Sequence, residues 1–417
     1  MIKVCDTIMG GGKTSAVISH INAHPEKRFL YITPYLDEAA RINKSCPSAH
    51  FMEPSCKIKE YGFSKARHTM ALIEAGHNIA STHQAVLYYT QDTLDMLREK
   101  NYTIIIDEEI TVFEKGADVS DGDIRLLIDA GYLQESKNGC YTKTDKEYTG
   151  TVFRKMFRIM ETRPLLNIGS SEGNASLWYW IYPKDFLECA NEVILLTYLF
   201  KGSEMDLFFQ MCGIKYQYIG VERRGDSSYA LTDKPGDMPA YINSLSEKIH
   251  IFDDEKLNAI GKNRNALSMN WYEKNPDKVD ELRCCISNYF KHKVHVSASQ
   301  RLCGTYSEAG TWSKIRNKGY WNSKLAFNKK STNDYREKTA LVYPVNLFPN
   351  TGIVTYYYDK GLVLDQERYA LSTMIQWIWR SAIRDGKEIS IYIPSRRMRT
   401  LLINWINEVS KGGIYET

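Results

Sequence analysis

The feature that most constrains this chain is a glycine loop set between an apolar strand and a helix at its beginning. Ile2-Lys3-Val4-Cys5 is short and apolar enough for one buried strand. Met9-Gly10-Gly11-Gly12-Lys13-Thr14-Ser15 follows, and Ser15 to Ile21 has helical spacing. Such a turn needs glycine where backbone N–H groups wrap around phosphate oxygens. Lys13 is then placed to reach the outer phosphates of a nucleotide, and the Thr14 hydroxyl to ligate Mg²⁺. Gly10, Gly11, Gly12, Lys13, Thr14 and Ser15 are the candidate nucleotide-binding residues; Thr7 stands where the full loop pattern has its first glycine. A strand, loop and helix in this order form the first half of a βαβ unit, which commits the fold to a parallel α/β sheet.

The pattern that follows agrees. Phe29 to Thr33, Ile79 to Thr82 and Tyr102 to Ile106 read as strands, and Leu36 to Asn43 and Gln91 to Lys100 as helices. The last of these strands is a continuous β-branched run, as expected when both faces are buried. Over 115–190 the alternation loosens, which marks an insertion. Within it the spacing predicts a hairpin around Gly139, a basic helix over Val152 to Thr162, and an aromatic strand from Leu177 to Tyr182 that serves core packing. Val193 to Thr197 is expected to close a first domain of residues 1–200. In the second, 201–417, Glu255 to Lys274 and Asp277 to Lys291 read as helices. Lys293 to Ala298, Leu325 to Asn328, Ala340 to Tyr343, Ile353 to Tyr357 and Ile389 to Ile393 read as strands. Helices are expected over 371–384 and 396–409.

Composition narrows the class. With 43% hydrophobic and 25% charged residues the chain suits an ordinary globular protein. No apolar run reaches membrane-spanning length, and no leader is expected before the first strand. The nine cysteines have no metal-ligand rhythm, so reduced thiols in a cytoplasm are the simplest account. A net charge of +4 is mild, so contacts to an anionic polymer would fall to local clusters. These are Arg154, Lys155 and Arg158; Lys314, Arg316 and Lys318; and Arg396, Arg397 and Arg399.

Five further segments carry chemistry. Ile104-Ile105-Ile106 runs into Asp107-Glu108-Glu109, an apolar strand ending in acids. Asp107 is suited to hold Mg²⁺ and Glu108 to orient and deprotonate an attacking water. Thr33-Pro34 and Thr82-His83 follow two other strands, where hydroxyls and free amides suit contacts to phosphates along a single strand. Thr197 ends another strand, where its hydroxyl could couple nucleotide state to domain closure. Gln376, Arg380 and Arg384 recur every fourth residue and are expected on one helix face, poised to neutralise charge in phosphoryl transfer.

Taken in order, these segments resemble the motifs of the superfamily 2 helicases and translocases, a group of DEAD/DEAH-like proteins. Gly12-Lys13-Thr14 is similar to motif I, Thr33-Pro34 to motif Ia, Thr82-His83 to motif Ic and Asp107-Glu108 to motif II. Leu196-Thr197 is similar to motif III, Ser331-Thr332-Asn333 to motif V and Gln376 to Arg384 to motif VI. Ile32 to Glu38 and Gln376 to Arg384 also look like helicase-like proteins of bacteriophages and mobile elements. The resemblance implies two tandem RecA-like domains with ATP and Mg²⁺ in the cleft between them and a nucleic-acid strand lying across both. Single-stranded DNA is the expected partner and RNA the alternative, in replication or recombination beside other replication proteins in a host cytoplasm. Ile383 occupies the place of the family's second motif VI arginine, so the arginine finger stays open between Arg380 and Arg384. A nucleotide-switched binding scaffold with little motor activity is the competing reading.

Overall fold

The computed structural model describes residues 1–417 apart from 35, 117–118, 137–139, 169–176, 226–227, 235–238, 307–308, 317–319, 321–322, 329–333 and 411–417. The chain divides into two compact units. One comprises Met1–Asp6, Gly12–Pro235 and Asn350–Leu364; the other comprises Thr7–Gly11, Gly236–Pro349 and Asp365–Thr417.

The first unit contains β1 (Ile2–Asp6), β2 (Arg28–Thr33), β3 (Ile79–Thr82) and β4 (Tyr102–Asp107). The inserted strands follow: β5 (Phe113–Lys115), β6 (Leu133–Glu135), β7 (Cys140–Lys143), β8 (Leu165–Ile168) and β9 (Leu177–Ile181). Then come β10 (Glu192–Thr197), β11 (Tyr216–Arg224) and β12 (Ser228–Thr232). The main sheet has the order β12-β11-β1-β10-β4-β2-β3. All its pairings are parallel except that of β11 with β12. Two strands beyond Thr197 thus extend the sheet past the expected close.

Alternation along each central strand explains why these runs are apolar throughout. Leu30 and Ile32 of β2, Ile104 and Ile106 of β4, and Val193 and Leu195 of β10 enter one core layer. Phe29 and Tyr31, Ile105, and Ile194 and Leu196 enter the layer on the opposite face. With a side-chain period of two, burying both faces favours apolar residues at nearly every position, Thr103 in β4 being a buried exception.

The insertion is a separate antiparallel sheet, β5-β9-β8-β7-β6. β6 and β7 form the expected hairpin, although Gly139 itself lies outside the described residues. The aromatic strand β9 divides its side chains by the same period. Trp178 and Trp180 pack with Ile124, Leu127 and Met156 of the insertion, while Tyr179 and Ile181 join the main core. The run is core on both faces, as the sequence predicts.

The second unit is built on β13 (Ile249–Phe252), β14 (Arg301–Thr305), β15 (Lys324–Ala326), β16 (Ala340–Val342) and β17 (Ile389–Tyr392). Their order is β13-β17-β16-β14-β15, with every pairing parallel. The protein is therefore α/β, with a mostly parallel sheet in the first unit and a wholly parallel one in the second.

Several expected elements differ. Ile353 to Tyr357 is not a strand: Thr351–Tyr358 is a helix whose N-cap Asn350 accepts from the amides of Gly352 and Ile353. Ile353 and Tyr357, one turn apart, face the first unit's core. Lys293 to Ala298 pairs with no strand among the described residues and is mostly exposed; the strand here is β14, a few residues on. The long helix over Glu255 to Lys274 is broken into Glu255–Asn258, a 3₁₀ turn at Ala259–Gly261, and Met269–Lys274.

Candidate nucleotide-binding site

Five neighbouring parallel strands end at one edge of the main sheet, and the candidate residues of the first unit collect there. Asp6 pairs in register with Thr197, Leu196 with Asp107, and Thr33 with Thr82. The glycine loop leaves β1 and the acids leave β4, with only β10 between them. Two strand spacings amount to about 10 Å, which the outer phosphates of a nucleotide and a cation can span.

The loop has the backbone that its glycines permit. Gly10 and Gly12 have φ of 78° and 90°, and the Gly11 amide donates to the Ile8 carbonyl at 3.0 Å. A Cβ on Gly12 would lie 2.3 Å from the Tyr229 ring. Gly12 is the N-cap of the helix Lys13–Ala23 and, lacking a side chain, supplies no side-chain cap to it. Thr14 and Ser15 are half-buried in that first turn.

Burial holds the Lys13 ammonium below its ordinary pKa, opposed by the charges of Asp6, Asp107 and Glu108. Burial, reinforced by Glu108, pushes the Asp107 carboxyl up to about 7, against the Tyr31 hydroxyl and Lys13. The Tyr31 hydroxyl donates to Asp107 Oδ2 at 2.9 Å. Glu108 has φ of 65°, a left-handed backbone rare for a side chain of its size, and its amide donates to the Leu196 carbonyl at 3.0 Å. That strained residue is thereby anchored to the neighbouring strand.

Around this pair the edge is cross-linked. Thr197 Oγ1 donates to Glu109 Oε1 at 2.7 Å. His83 Nε2 lies 2.9 Å from the Asp107 carbonyl oxygen. Asp6 accepts from the amides of Leu199 and Phe200 at 2.7 and 2.9 Å, which fixes the turn after β10. Thr33 is fully buried and its hydroxyl has no hydrogen-bond partner among the described residues. Pro34 is half-buried. Thr82 is the N-cap of the helix His83–Val86 but makes no side-chain cap bond.

In the second unit, Gln376, Arg380 and Arg384 do not share one helix face. The helix Gln366–Ile378 ends before Arg380, which follows in a turn, and Arg384 lies in a 3₁₀ turn over Ala382–Asp385. The reason is packing. Trp377 and Trp379 are buried, and the Trp377 indole donates to the Leu325 carbonyl at 3.1 Å. Every residue from Trp377 to Ile383 is buried, so this segment packs on more than one face. Arg380 is itself buried. Thr332 and Asn333 lie outside the described residues.

The basic clusters separate by role. Arg154, Lys155 and Arg158 are exposed, as are Lys314 and Arg316, while Lys318 lies outside the described residues. Arg397 instead donates to the carbonyls of Leu347 and Gln366, and Arg399 to that of Ile393. These two serve the fold.

Asp6, Tyr31 and Tyr229 were not marked by the sequence motifs. Two left a signal: a carboxylate just before a glycine loop, and a phenol inside an apolar strand, whose hydroxyl must find a partner. Nothing local marks Tyr229, because its place over Gly12 depends on β12 reaching the loop.

Fold and site together define a parallel α/β protein with a glycine loop and a strand-end acid pair on one sheet edge. More particularly, the chain belongs to the YonV family. It is 34% identical over 417 residues to the SPbeta prophage-derived uncharacterized protein YonV of Bacillus subtilis (strain 168), covering 97% of this chain and 98% of that one. A family model described as the YonV C-terminal Rossmann-like domain matches residues 243–406. Among solved structures, S. tokodaii Xpd4 is similar at 12% identity and a TM-score of 0.49, over 100% of this chain and 95% of that one. A structure titled XPD helicase is similar at 11% identity and a TM-score of 0.47, over 99% and 95%.

Proposed function

We propose that this protein is a nucleic-acid-stimulated ATP hydrolase, a helicase or translocase of the DEAD/DEAH-like kind acting in phage or mobile-element DNA metabolism. One observation carries the reading: the glycine loop that leaves β1 with Lys13 and the acids that leave β4 lie on one sheet edge with only β10 between them. A lysine desolvated beside two acids is arranged for phosphate on one side and a cation on the other.

In this reading the loop amides and Lys13 hold the β- and γ-phosphates. Thr14 and Asp107 would hold Mg²⁺, and they fit it. Mg²⁺ takes one or two protein oxygens and completes its shell with phosphate and water. Asp107 is a half-buried carboxyl whose raised pKa a nearby cation would lower, favouring its ionised form. The chemistry Mg²⁺ supplies when bound is neutralisation of charge on the outer phosphates. Glu108 orients the attacking water and accepts its proton. Thr197, bonded to Glu109, senses whether that acid cluster is engaged. Gln376, Arg380 and Arg384 are candidates for neutralising transition-state charge on the motif VI resemblance alone. The strand passes Pro34, Thr82 and His83, single-stranded DNA being the first candidate and RNA the second; Thr33, expected to contact it, is fully buried and does not reach it.

The test is ATP hydrolysis measured without polymer and with single-stranded DNA, duplex DNA or RNA. Hydrolysis stimulated by a single strand, abolished in Lys13→Ala and in Glu108→Gln, is the expected result. No hydrolysis under any condition would overturn it, and tight ATP binding without turnover would favour the switched scaffold instead.

A further inference from the structure

Two adjacent tyrosines beyond β3 have opposite fates. Tyr89 is buried, packs edge-on against Phe186 at 6.0 Å, and its carbonyl accepts from Thr162 Oγ1 at 3.1 Å, which ties the insertion to the main sheet. Tyr88 is 44% exposed. Between them opens a cavity of about 190 Å³, whose lining includes Ser64, Lys65, Tyr88, Tyr89 and Arg158. Its walls come from three places: the start of the helix Lys65–Glu74, the segment after His83–Val86, and the insertion helix Arg154–Ile159.

The chemistry of the lining is one-sided. Among the described residues no carboxylate pairs with Lys65 or Arg158, and the insertion helix Arg-Lys-Met-Phe-Arg-Ile contains no acid. Ser64 caps its helix by accepting from the Arg67 amide at 3.3 Å. The Tyr89 hydroxyl is buried beside Ser81. Two unneutralised cations, an exposed aromatic face and a buried hydroxyl in so small a space suit a ligand that is anionic at one end and flat at the other. A nucleotide unit of a single strand has that form: phosphate for the cations, base for the ring.

We propose that this cavity holds one nucleotide of a single-stranded nucleic acid, with its base stacked on Tyr88 and its phosphate between Lys65 and Arg158. The inference rests on the nucleic-acid reading above and extends it, because the insertion then supplies part of the strand path. Thr82-His83 leads directly into the segment that carries Tyr88, so the strand would run from the sheet edge onto the insertion.

The experiment uses the full chain with fluorescent oligothymidylate and oligouridylate, read by anisotropy over a range of salt. Tyr88→Ala is expected to weaken binding about 5- to 150-fold, the range for losing one stacked base, with Tyr88→Trp restoring it. Lys65→Gln and Arg158→Gln should each lower the slope of log affinity against log salt by about 0.7. ATP hydrolysis without polymer should be unchanged in all four, which separates this contact from the nucleotide site. A strand carrying 5-iodouracil should photocrosslink to Tyr88. Wild-type affinity and slope in the variants, with crosslinks elsewhere, would overturn the inference while leaving strand-stimulated hydrolysis standing. Failure of the wild-type protein to bind either strand would overturn both. Loss confined to one polymer assigns the cavity to DNA or to RNA.

Discussion

At the scale of single residues, Gly12 is limited twice over. Its φ of 90° disfavours any side chain, and a Cβ would stand 2.3 Å from the Tyr229 ring. Gly12→Ala is expected to cost about 1–2 kcal/mol from the backbone alone and to weaken nucleotide binding. Adding Tyr229→Ala should recover only the collision, and denaturant titration with nucleotide-binding isotherms would separate the two contributions. Glu192 shows how ordinary charges steady the same strands. Burial by itself would raise its carboxyl, but Lys3 at 2.8 Å and Lys27 at 3.3 Å more than reverse this and hold it below its usual value. A depressed folded-state pKa stabilises the protein above the unfolded value of about 4.3, and that contribution is lost as pH falls through the folded value. Glu192→Gln should therefore lower the melting temperature at neutral pH, with the gap from wild type closing in acid. A constant gap across pH would show that the pairing contributes nothing.

At the scale of elements, strand identity was legible wherever burial was two-sided. Tyr102 to Ile106 and Leu177 to Tyr182 could be placed because uninterrupted apolar side chains at a period of two need a core on both faces. The same logic failed for Ile353 to Tyr357, whose β-branched and aromatic composition suits a strand. There the Asn350 cap and the one-turn spacing of Ile353 and Tyr357 match a helix packed on one side only. Composition alone could not tell one buried face from two. The insertion is held by a device no periodicity shows. Arg163 is buried and donates to the Ile181 carbonyl at 3.0 Å and to Glu114 at 2.9 Å. Arg163→Met, which keeps the apolar stem, should destabilise the protein by about 1.5–3 kcal/mol through the lost charged hydrogen bonds. Thermal denaturation would show it, and an unchanged midpoint would mean that water replaces the guanidinium.

At the scale of the whole molecule, the two units are not consecutive blocks of sequence. The chain returns to the first unit at Asn350–Leu364 after building most of the second. There Tyr357 is fully buried and donates to the Glu204 carbonyl at 2.7 Å, and Asn350 donates to the Tyr179 hydroxyl at 3.0 Å. Tyr357→Ala should cost about 3–5 kcal/mol as a large-to-small core change. Because the lost contacts belong to the first unit, hydrogen exchange should rise in β5 and β9 more than in β14 or β16. The opposite distribution would place that helix in the other core.

The amino-acid sequence determined the strand, glycine loop and helix at the start, the acids after an apolar run, and the parallel α/β class that follows from them. Each depends on neighbours along the chain: φ that only glycine adopts easily, side-chain period, and the hydrogen bonds of one turn. Tertiary structure alone decided that β10 lies between β1 and β4, that Tyr31 donates to Asp107, that Thr197 meets Glu109, and that the helix carrying Gln376 ends before Arg380. Those outcomes join residues far apart in sequence. They follow from which apolar faces can be buried together, and no local pattern records that.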